Sequence, residues 1–521
     1  MPVFAAIDIG ANSVRLKIAR FANRKMQVIF EDREVTRLGE SVFRNGLLAP
    51  EAMAQTVKVL SRFHRATQRY GVEQLRIVST SPLRDARNAR ALTEWVKSVT
   101  GWNIQVISGL EEGRLIHLGV LSNMPIANKM VLMFDLGGGS CELTISDHGH
   151  IRTMFSLPLG AVRLTQEFLL HDPPKKLEIA RMREFIAEEV HRVAGRIRSQ
   201  ELDLAIATSG TAAALDGAAR GLEGRSKFSH TVSRKVTLQL AKDLARRTAR
   251  EREEYPGIGP RRAEIIVAGA FVFAEMMTHY GLPSFRYSPL GLRDGLLAQM
   301  AADWDPRALQ RSQLEAERQD ALLETCKRYG VDRRYSEHVC ELALQLFEAL
   351  KRLHNLPSEY RQWITAAAML HEVGSYINRS GRHRHSYYLI SNSEIFGFTP
   401  EQRTVIAAIA RYMGKSRPAL DDSFLKKLRV GDRGALPKAV LLLRLARALN
   451  QSRRGAVQKI TARIQDSNVW LRPVGKRELM DLELWATEKE KGYFREVFGR
   501  ELLLGPEAAR ERVRAGLFRF V

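Results

Sequence analysis

Apolar residues recur along this chain with two periods, and the change between them divides it into regions. Over residues 1–125, alternation by two predicts strands at Phe4–Ile9, Val14–Ala19, Gln27–Phe30, Leu75–Val78 and Ile104–Ile107. Spacing by three and four predicts helices over Glu51–Tyr70, Asp85–Thr100 and Glu111–Leu121. Residues 126–300 repeat that logic. A strand at Met130–Phe134 leads to a helix near Leu177–Arg198, a strand at Leu204–Ala207, a turn at Thr208-Ser209-Gly210-Thr211 and a helix over Arg261–Tyr280. After about Asp305, helix follows helix: Pro306–Leu353, Tyr360–Ile377, Pro400–Met413 and Pro437–Ser452. A strand signal returns at Val457–Leu471, and a basic helix closes the pattern at Pro506–Leu517. Four segments follow: α/β lobes over 1–125 and 126–300, a helical domain over 301–455, and a small mixed domain over 456–521.

Both lobes open alike. Ala6-Ile7-Asp8-Ile9-Gly10-Ala11-Asn12-Ser13 and Phe134-Asp135-Leu136-Gly137-Gly138-Gly139-Ser140-Cys141-Glu142 each read as strand, Asp, small-residue turn and second strand. Glycine lets a backbone approach an anion closely, and successive N–H groups in such a turn form a cradle for phosphate oxygens. The Asp at each strand end brings charge to the same spot, where it can hold Mg²⁺ directly or through water. Between the two turns, Val106–Arg114 reads as a strand end, a turn at Ser108 or Gly109, and two glutamates opening a helix. Acids in a first helical turn complement the macrodipole and need no other role. A position just past a strand end in an α/β sheet is also where sites gather.

Composition changes the picture in one respect, the net charge of +23. The excess is spread: residues 1–300 carry 42 Lys/Arg against 31 Asp/Glu, and residues 301–521 carry 39 against 27. That balance favours a polyanionic partner. The basic clusters Arg246-Arg247, Arg261-Arg262, Arg382–His385 and Arg411–Arg417 could line its path, although each alone reads as solvated surface. Three unpaired cysteines, Cys141, Cys326 and Cys340, suit a reducing, cytoplasmic setting. No run approaches the roughly eighteen apolar residues needed to span a bilayer, and Asp8 interrupts the one apolar stretch at the N-terminus, against a secretory signal. Gly414-Lys415-Ser416 ends like a Walker loop but lacks the earlier glycine, where Ile409 stands.

Taken together these segments resemble the exopolyphosphatase / guanosine pentaphosphate phosphatase (Ppx/GppA) family in its long, four-domain form. The resemblance rests on Ala6–Arg15, Ser79–Arg87, Ile107–Arg114, Phe134–Glu142, Leu157–Leu164, Ala207–Thr211 and Ser288–Leu296, and extends to Ala368–Asn378 and His383–Ser386. It implies an α/β fold of two actin-like (ribonuclease-H-like) lobes of the ASKHA superfamily. An all-α HD-like domain and a small C-terminal α+β domain would follow. It also implies roles. Glu112 matches the glutamate that positions or deprotonates the attacking water; Asp135 and Glu142, with Asp8, match acids that hold Mg²⁺. Asn12, Ser13 and Arg15 match the first phosphate loop, and Gly137, Gly138, Gly139 and Ser140 the second. Arg84 matches a basic residue on the phosphate path, and Ser209, Gly210 and Thr211 a third small-residue turn. A homodimer is implied in the same way.

In the helical region His338, His371-Glu372, His383 and His385 look like a degraded HD metal motif. Its paired aspartate is Glu372, and its later acidic position falls at Arg447 or Asn450. Lost anionic ligands disfavour a cation there, and structural histidines are expected. The expected reaction is Mg²⁺-dependent, processive release of orthophosphate from the end of inorganic polyphosphate. Conversion of guanosine pentaphosphate to tetraphosphate is the close rival, since both substrates present a terminal phosphoanhydride. A polyphosphate:ADP phosphotransferase is a further rival, and a non-catalytic sensor is disfavoured by the intact acids. Nucleic acid is not the expected polyanion.

Overall fold

The computed structural model describes the whole chain except residues 24, 125, 127, 199–201, 224–229, 306, 309–310, 420–421, 423, 476–478 and 506–521. The chain divides into two compact units, Met1–Leu314 and Glu315–Val521. Mixed α/β structure fills the first. Its strands are β1 (Val3–Ile9), β2 (Ser13–Ala22), β3 (Lys25–Val35), β4 (Gln74–Ser79), β5 (Gln105–Val106), β6 (Met130–Leu136), β7 (Cys141–Asp147), β8 (His150–Leu157), β9 (Leu204–Thr208), β10 (Thr231–Ser233) and β11 (Ser284–Tyr287).

These strands form two sheets, ordered β3-β2-β1-β4-β5 and β8-β7-β6-β9-β11-β10. In each, the first three strands form an antiparallel meander and the fourth returns parallel beside the first. The repeated order makes the duplication architectural. The central strands are apolar on both faces, as strands covered on both sides must be: Phe4, Ala5, Ala6 and Ile7 are all fully buried. Helices Pro50–Arg69 and Ala89–Thr100 cover one face of the first sheet. Helices Gly109–Leu121 and Leu292–Trp304 pack together against its other face.

Helices make up most of the second unit, together with a sheet of β12 (Val457–Gln465), β13 (Asn468–Gly475) and β14 (Glu501–Leu504). Helix Val430–Ala448 and this sheet contribute to one continuous core, with Leu442, Leu445, Val457, Val469 and Leu471 all fully buried.

Local chemistry moves several expected boundaries. The helix expected over Asp85–Thr100 is two pieces, Ser81–Asp85 and Ala89–Thr100. Asn88 breaks it by exchanging hydrogen bonds with the backbone of Leu48, 2.8 and 3.1 Å long. The strand expected over Val457–Leu471 is a hairpin, turned at Asp466 with a positive φ of 44°. The helix expected from Arg261 begins at Ile266, which leaves Arg261 and Arg262 in the preceding turn. The basic helix expected at Pro506–Leu517 lies outside the described residues. Among the described residues, no helix is long and apolar enough to cross a membrane.

Candidate active site

The two Asp-Gly turns are built to one plan. Gly10 N–H donates to Ser13 O at 3.1 Å, and Gly137 N–H donates to Ser140 O at 3.0 Å. Asp8 and Asp135 each stand two residues before the donor glycine. Across each hairpin the Asp faces the residue seven further on: Asp8 opposite Arg15, Asp135 opposite Glu142. The turns also meet, since a Cβ added at Gly138 would lie 2.8 Å from Ala11 Cβ. The second turn is held from behind by the start of helix Ala161–Phe168, where Val162 and Arg163 donate backbone N–H groups to Gly138 O at 2.8 and 3.0 Å. Arg163 Nε adds a 2.9 Å bond to Gly139 O.

Both turns line one cleft of about 250 Å³, with Asp8, Asn12, Ser13, Arg15, Glu112, Asp135, Gly137, Gly138, Ser209 and Gly210 on its walls. Gly139, Ser140, Glu142, Thr211 and Arg84 stand back from this surface. Arg84 donates to Ile107 O at 2.9 Å and acts on Glu112 through its charge. Ser209 turns β9 into helix Ser209–Glu223 with φ 86°, a conformation that side chains rarely adopt. Backbone strain of this kind gathers at functional sites.

Glu112 sits in the first turn of helix Gly109–Leu121, whose N-terminus Ser108 caps by accepting from Glu111 N–H at 3.0 Å. Gly113 brings this helix close to β7: a Cβ added there would lie 3.5 Å from Glu142 Cβ. Ligand oxygens of Glu112, Asp135 and Glu142 consequently lie within 4.8 Å of one another. Asp8 lines the same cleft but falls outside this trio. Its hairpin partner is a cation, Arg15, where the second hairpin supplies Glu142. Ser156 donates to Glu142 at 2.9 Å, and Thr208 donates to Asp135, fixing both carboxylates.

Burial, followed by the charges of Glu142, Asp135 and Asp8, pushes the Glu112 carboxyl well above its usual range. Burial and then Asp135 raise Glu142 likewise. Three carboxylates crowded this way repel one another unless a cation or protons intervene. Glu112 is 7 % exposed and Glu142 2 %, and the Oε2 atom of each is buried without a hydrogen-bond partner among the described residues. Orphaned hard oxygen donors suit a divalent cation such as Mg²⁺. Around them lie orphaned donors: Asn12 Nδ2, Ser209 Oγ, Thr211 Oγ1, and Nε and Nη2 of Arg33.

Arg33, Arg262 and Arg293 line the cleft as well; Arg262 belongs to the basic cluster Arg261-Arg262 and Arg293 to the segment Ser288–Leu296, whereas no motif covers Arg33. Arg262 is 7 % exposed; burial, then Arg15 and Arg33, lowers it to about 9, so it stays charged at neutral pH. The equal Asp-x-Gly-x-x-Ser spacing of the two turns was visible in the sequence and marks Arg15 and Glu142 as counterparts.

In the helical unit His371 is 3 % exposed, with Nδ1 donating to Ala368 O at 2.8 Å. Glu372 is gripped by Arg453 Nη2 at 2.6 and 2.8 Å.

The family model for the Ppx/GppA phosphatase family matches residues 17–303, and the model for domain III of Ppx/GppA phosphatases matches residues 318–488. Solved structures are similar over more than half of the chain. The Aquifex aeolicus Ppx/GppA family member is 28 % identical, with 58 % of this chain and 99 % of that one covered and a TM-score of 0.50. An exopolyphosphatase-like protein is 29 % identical, covering 59 % and 99 % with a TM-score of 0.53. An exopolyphosphatase from Cytophaga hutchinsonii, 24 % identical over 57 % and 97 % with a TM-score of 0.54, shares the fold. With one model spanning more than half its length and a second covering most of the remainder, the chain belongs to the Ppx/GppA phosphatase family.

Proposed function

We propose that this protein is an exopolyphosphatase that hydrolyses the terminal phosphoanhydride of inorganic polyphosphate with Mg²⁺, processively, on an actin-like two-lobed core. One observation carries the reading. Glu112 and Glu142 each carry a buried, unpartnered carboxylate oxygen, and the cleft that Glu112 lines also carries buried, unpartnered donors of Asn12 and Ser209. Such carboxylate oxygens suit a cation and such donors an oxyanion, and a metal-bound phosphate would answer both together.

Asp135 and Glu142 would hold the metal, with Asp8 at its margin. A bound Mg²⁺ neutralises charge on the phosphate oxygens and lowers the barrier to displacement. Asn12, Ser13, Arg15 and the backbone N–H groups of Gly138, Gly139 and Ser140 orient the terminal phosphate, while the Gly137 N–H closes the turn on Ser140 O. Ser209, Gly210 and Thr211 close the far side, and Arg84 adds positive charge near Glu112. Glu112, raised by burial and acidic neighbours, accepts a proton from the attacking water through its free Oε2. Positioning and electrostatics are what phosphoryl transfer chiefly requires. The net charge of +23 favours a long polymer over a nucleotide.

Phosphate release tests the reading, measured on polyphosphates of several lengths and on guanosine pentaphosphate, with and without Mg²⁺. Higher kcat/KM on long chains, abolished by chelation, is expected. Faster turnover of guanosine pentaphosphate would reverse the substrate assignment, and ADP-dependent transfer without phosphate release would overturn the hydrolase.

A further inference from the structure

Strand β3 places acids and a cation in alternation. Asp32 and Glu34 share one face, where Arg62 of helix Pro50–Arg69 binds both, at 3.0 and 3.2 Å. Glu31 and Arg33 occupy the opposite face. Glu31 is taken by Lys17 at 3.1 Å and by Arg293 at 3.5 Å. Arg33 is left over. It lines the cleft, with Nε and Nη2 buried and unpartnered among the described residues. Burial, then Arg15, Arg261 and Arg293, lowers it to about 10, so it remains a cation at neutral pH. Cationic N–H groups buried among three like charges, with Asp8 the acid that opposes them, are costly unless a ligand adds counter-charge.

Register shows where that ligand would lie. Asp8 faces Arg15 across β1 and β2, and Arg15 faces Arg33 across β2 and β3. Directly opposed residues point to the same face of a sheet, so the three form one row across the cleft floor, about 10 Å from first to last by strand spacing. The row starts at Asp8, whose charge acts on Glu112, and ends on the edge strand β3. Arg33 thus stands two strands from Asp8, at the outer edge of the sheet.

We propose that Arg33 is a chain-length-determining subsite, binding an internal phosphate of linear polyphosphate several units behind the one being released, with Arg15 between. The assignment rests on the polyphosphate reading above. A three-phosphate substrate held at its terminal unit by the acid trio reaches less far along the row than a long chain does. Arg33 acts on length rather than on the chemical step.

Full-length Arg33→Ala and Arg33→Lys test this through KM and kcat on inorganic triphosphate and on long-chain polyphosphate, and through equilibrium binding of the long chain at several salt concentrations. Losing one charge-assisted hydrogen bond should raise the ratio of long-chain KM to triphosphate KM about tenfold in Arg33→Ala. The slope of log affinity against log salt should fall by about one unit, by analogy with other polyanions. Arg33→Lys, which keeps the charge, should recover most of both. An unchanged KM ratio, an unchanged salt slope, or a fall in kcat with KM constant would overturn the subsite. If Arg33→Ala does not fold, Arg33→Gln carries the same comparison. If the wild type binds the polymer but releases no phosphate, the hydrolase reading fails while the salt slope still decides the role of Arg33.

Discussion

Glu111 and Glu112 are neighbours of one residue type, and the fold treats them oppositely. Glu111 is bonded to Arg114 at 2.8 and 2.9 Å, which with its place in the first helical turn accounts for it fully. Glu112 turns inward, buried among acids with one oxygen free. Glu112→Gln keeps the volume and removes the proposed proton acceptor. It should cut kcat by about 10²–10⁴-fold while leaving KM within a few-fold, as steady-state phosphate release will show. Retention of more than about a tenth of kcat would remove Glu112 as the base. Since Glu112 also lies in the trio, the Mg²⁺ titration of this variant separates two roles: a shifted midpoint makes it a ligand, an unshifted one a base. Asp135→Ala and Glu142→Ala should each raise the Mg²⁺ needed for half-maximal activity or abolish activity at any Mg²⁺. An unchanged titration in both would move the metal elsewhere.

At the scale of elements, the hairpin turns were legible because a hairpin is local: strand, Asp, glycines and strand are contiguous, and spacing alone places the Asp at the turn. The trio was legible only in part. Its members come from a helix start and a second hairpin, and the small residue at Gly113 that brings them together acts across elements. Arg262 was legible as half of a basic cluster, but its place in a turn was hidden by a helix expected five residues too early, and Arg33 was missed because a strand was expected to end before reaching it. The helical unit offers an element-scale test. His371 ends helix Tyr360–Leu370, and Ser386 of helix Arg382–Asn392 donates to its carbonyl at 2.8 Å. Burial lowers His371 to about 4, against the raising effects of Glu372 and Ala368 O. Between an unfolded value near 6.5 and that folded value, the unfolded state binds more protons. This contribution is therefore fully present above about pH 6.5 and lost as pH falls toward 4, by up to about 3 kcal/mol. Urea unfolding of the full chain at pH 7, 5.5 and 4.5 should show the decline in the transition of the helical unit. His371→Gln should flatten it, and an equal pH slope in both proteins would refute the assignment.

On the scale of the whole molecule, each unit has its own hydrophobic cores: residues 3–308 contribute to three clusters, and residues 321–502 to a fourth. Charge divides almost evenly, with 44 Lys/Arg against 33 Asp/Glu over residues 1–314 and 37 against 25 over residues 315–521. The first unit holds Glu112, both Asp-Gly turns, the Ser209–Thr211 turn and Arg33, so a fragment of residues 1–314 should keep the chemistry of short oligophosphates. It loses the +12 carried by the second unit. Polymer affinity gathered from many Lys/Arg–phosphate pairings should weaken as those pairings are removed, and its salt dependence should become shallower. The full chain should therefore degrade long polyphosphate without intermediate lengths, while the fragment releases its substrate between cleavages and leaves a ladder. Gel-resolved digestion at low and moderate salt distinguishes them, with triphosphate turnover confirming that the fragment is folded and active. The same product pattern and salt slope from fragment and full chain would show that the 315–521 unit does not hold the polymer, and would return processivity to the cleft and its arginine row alone.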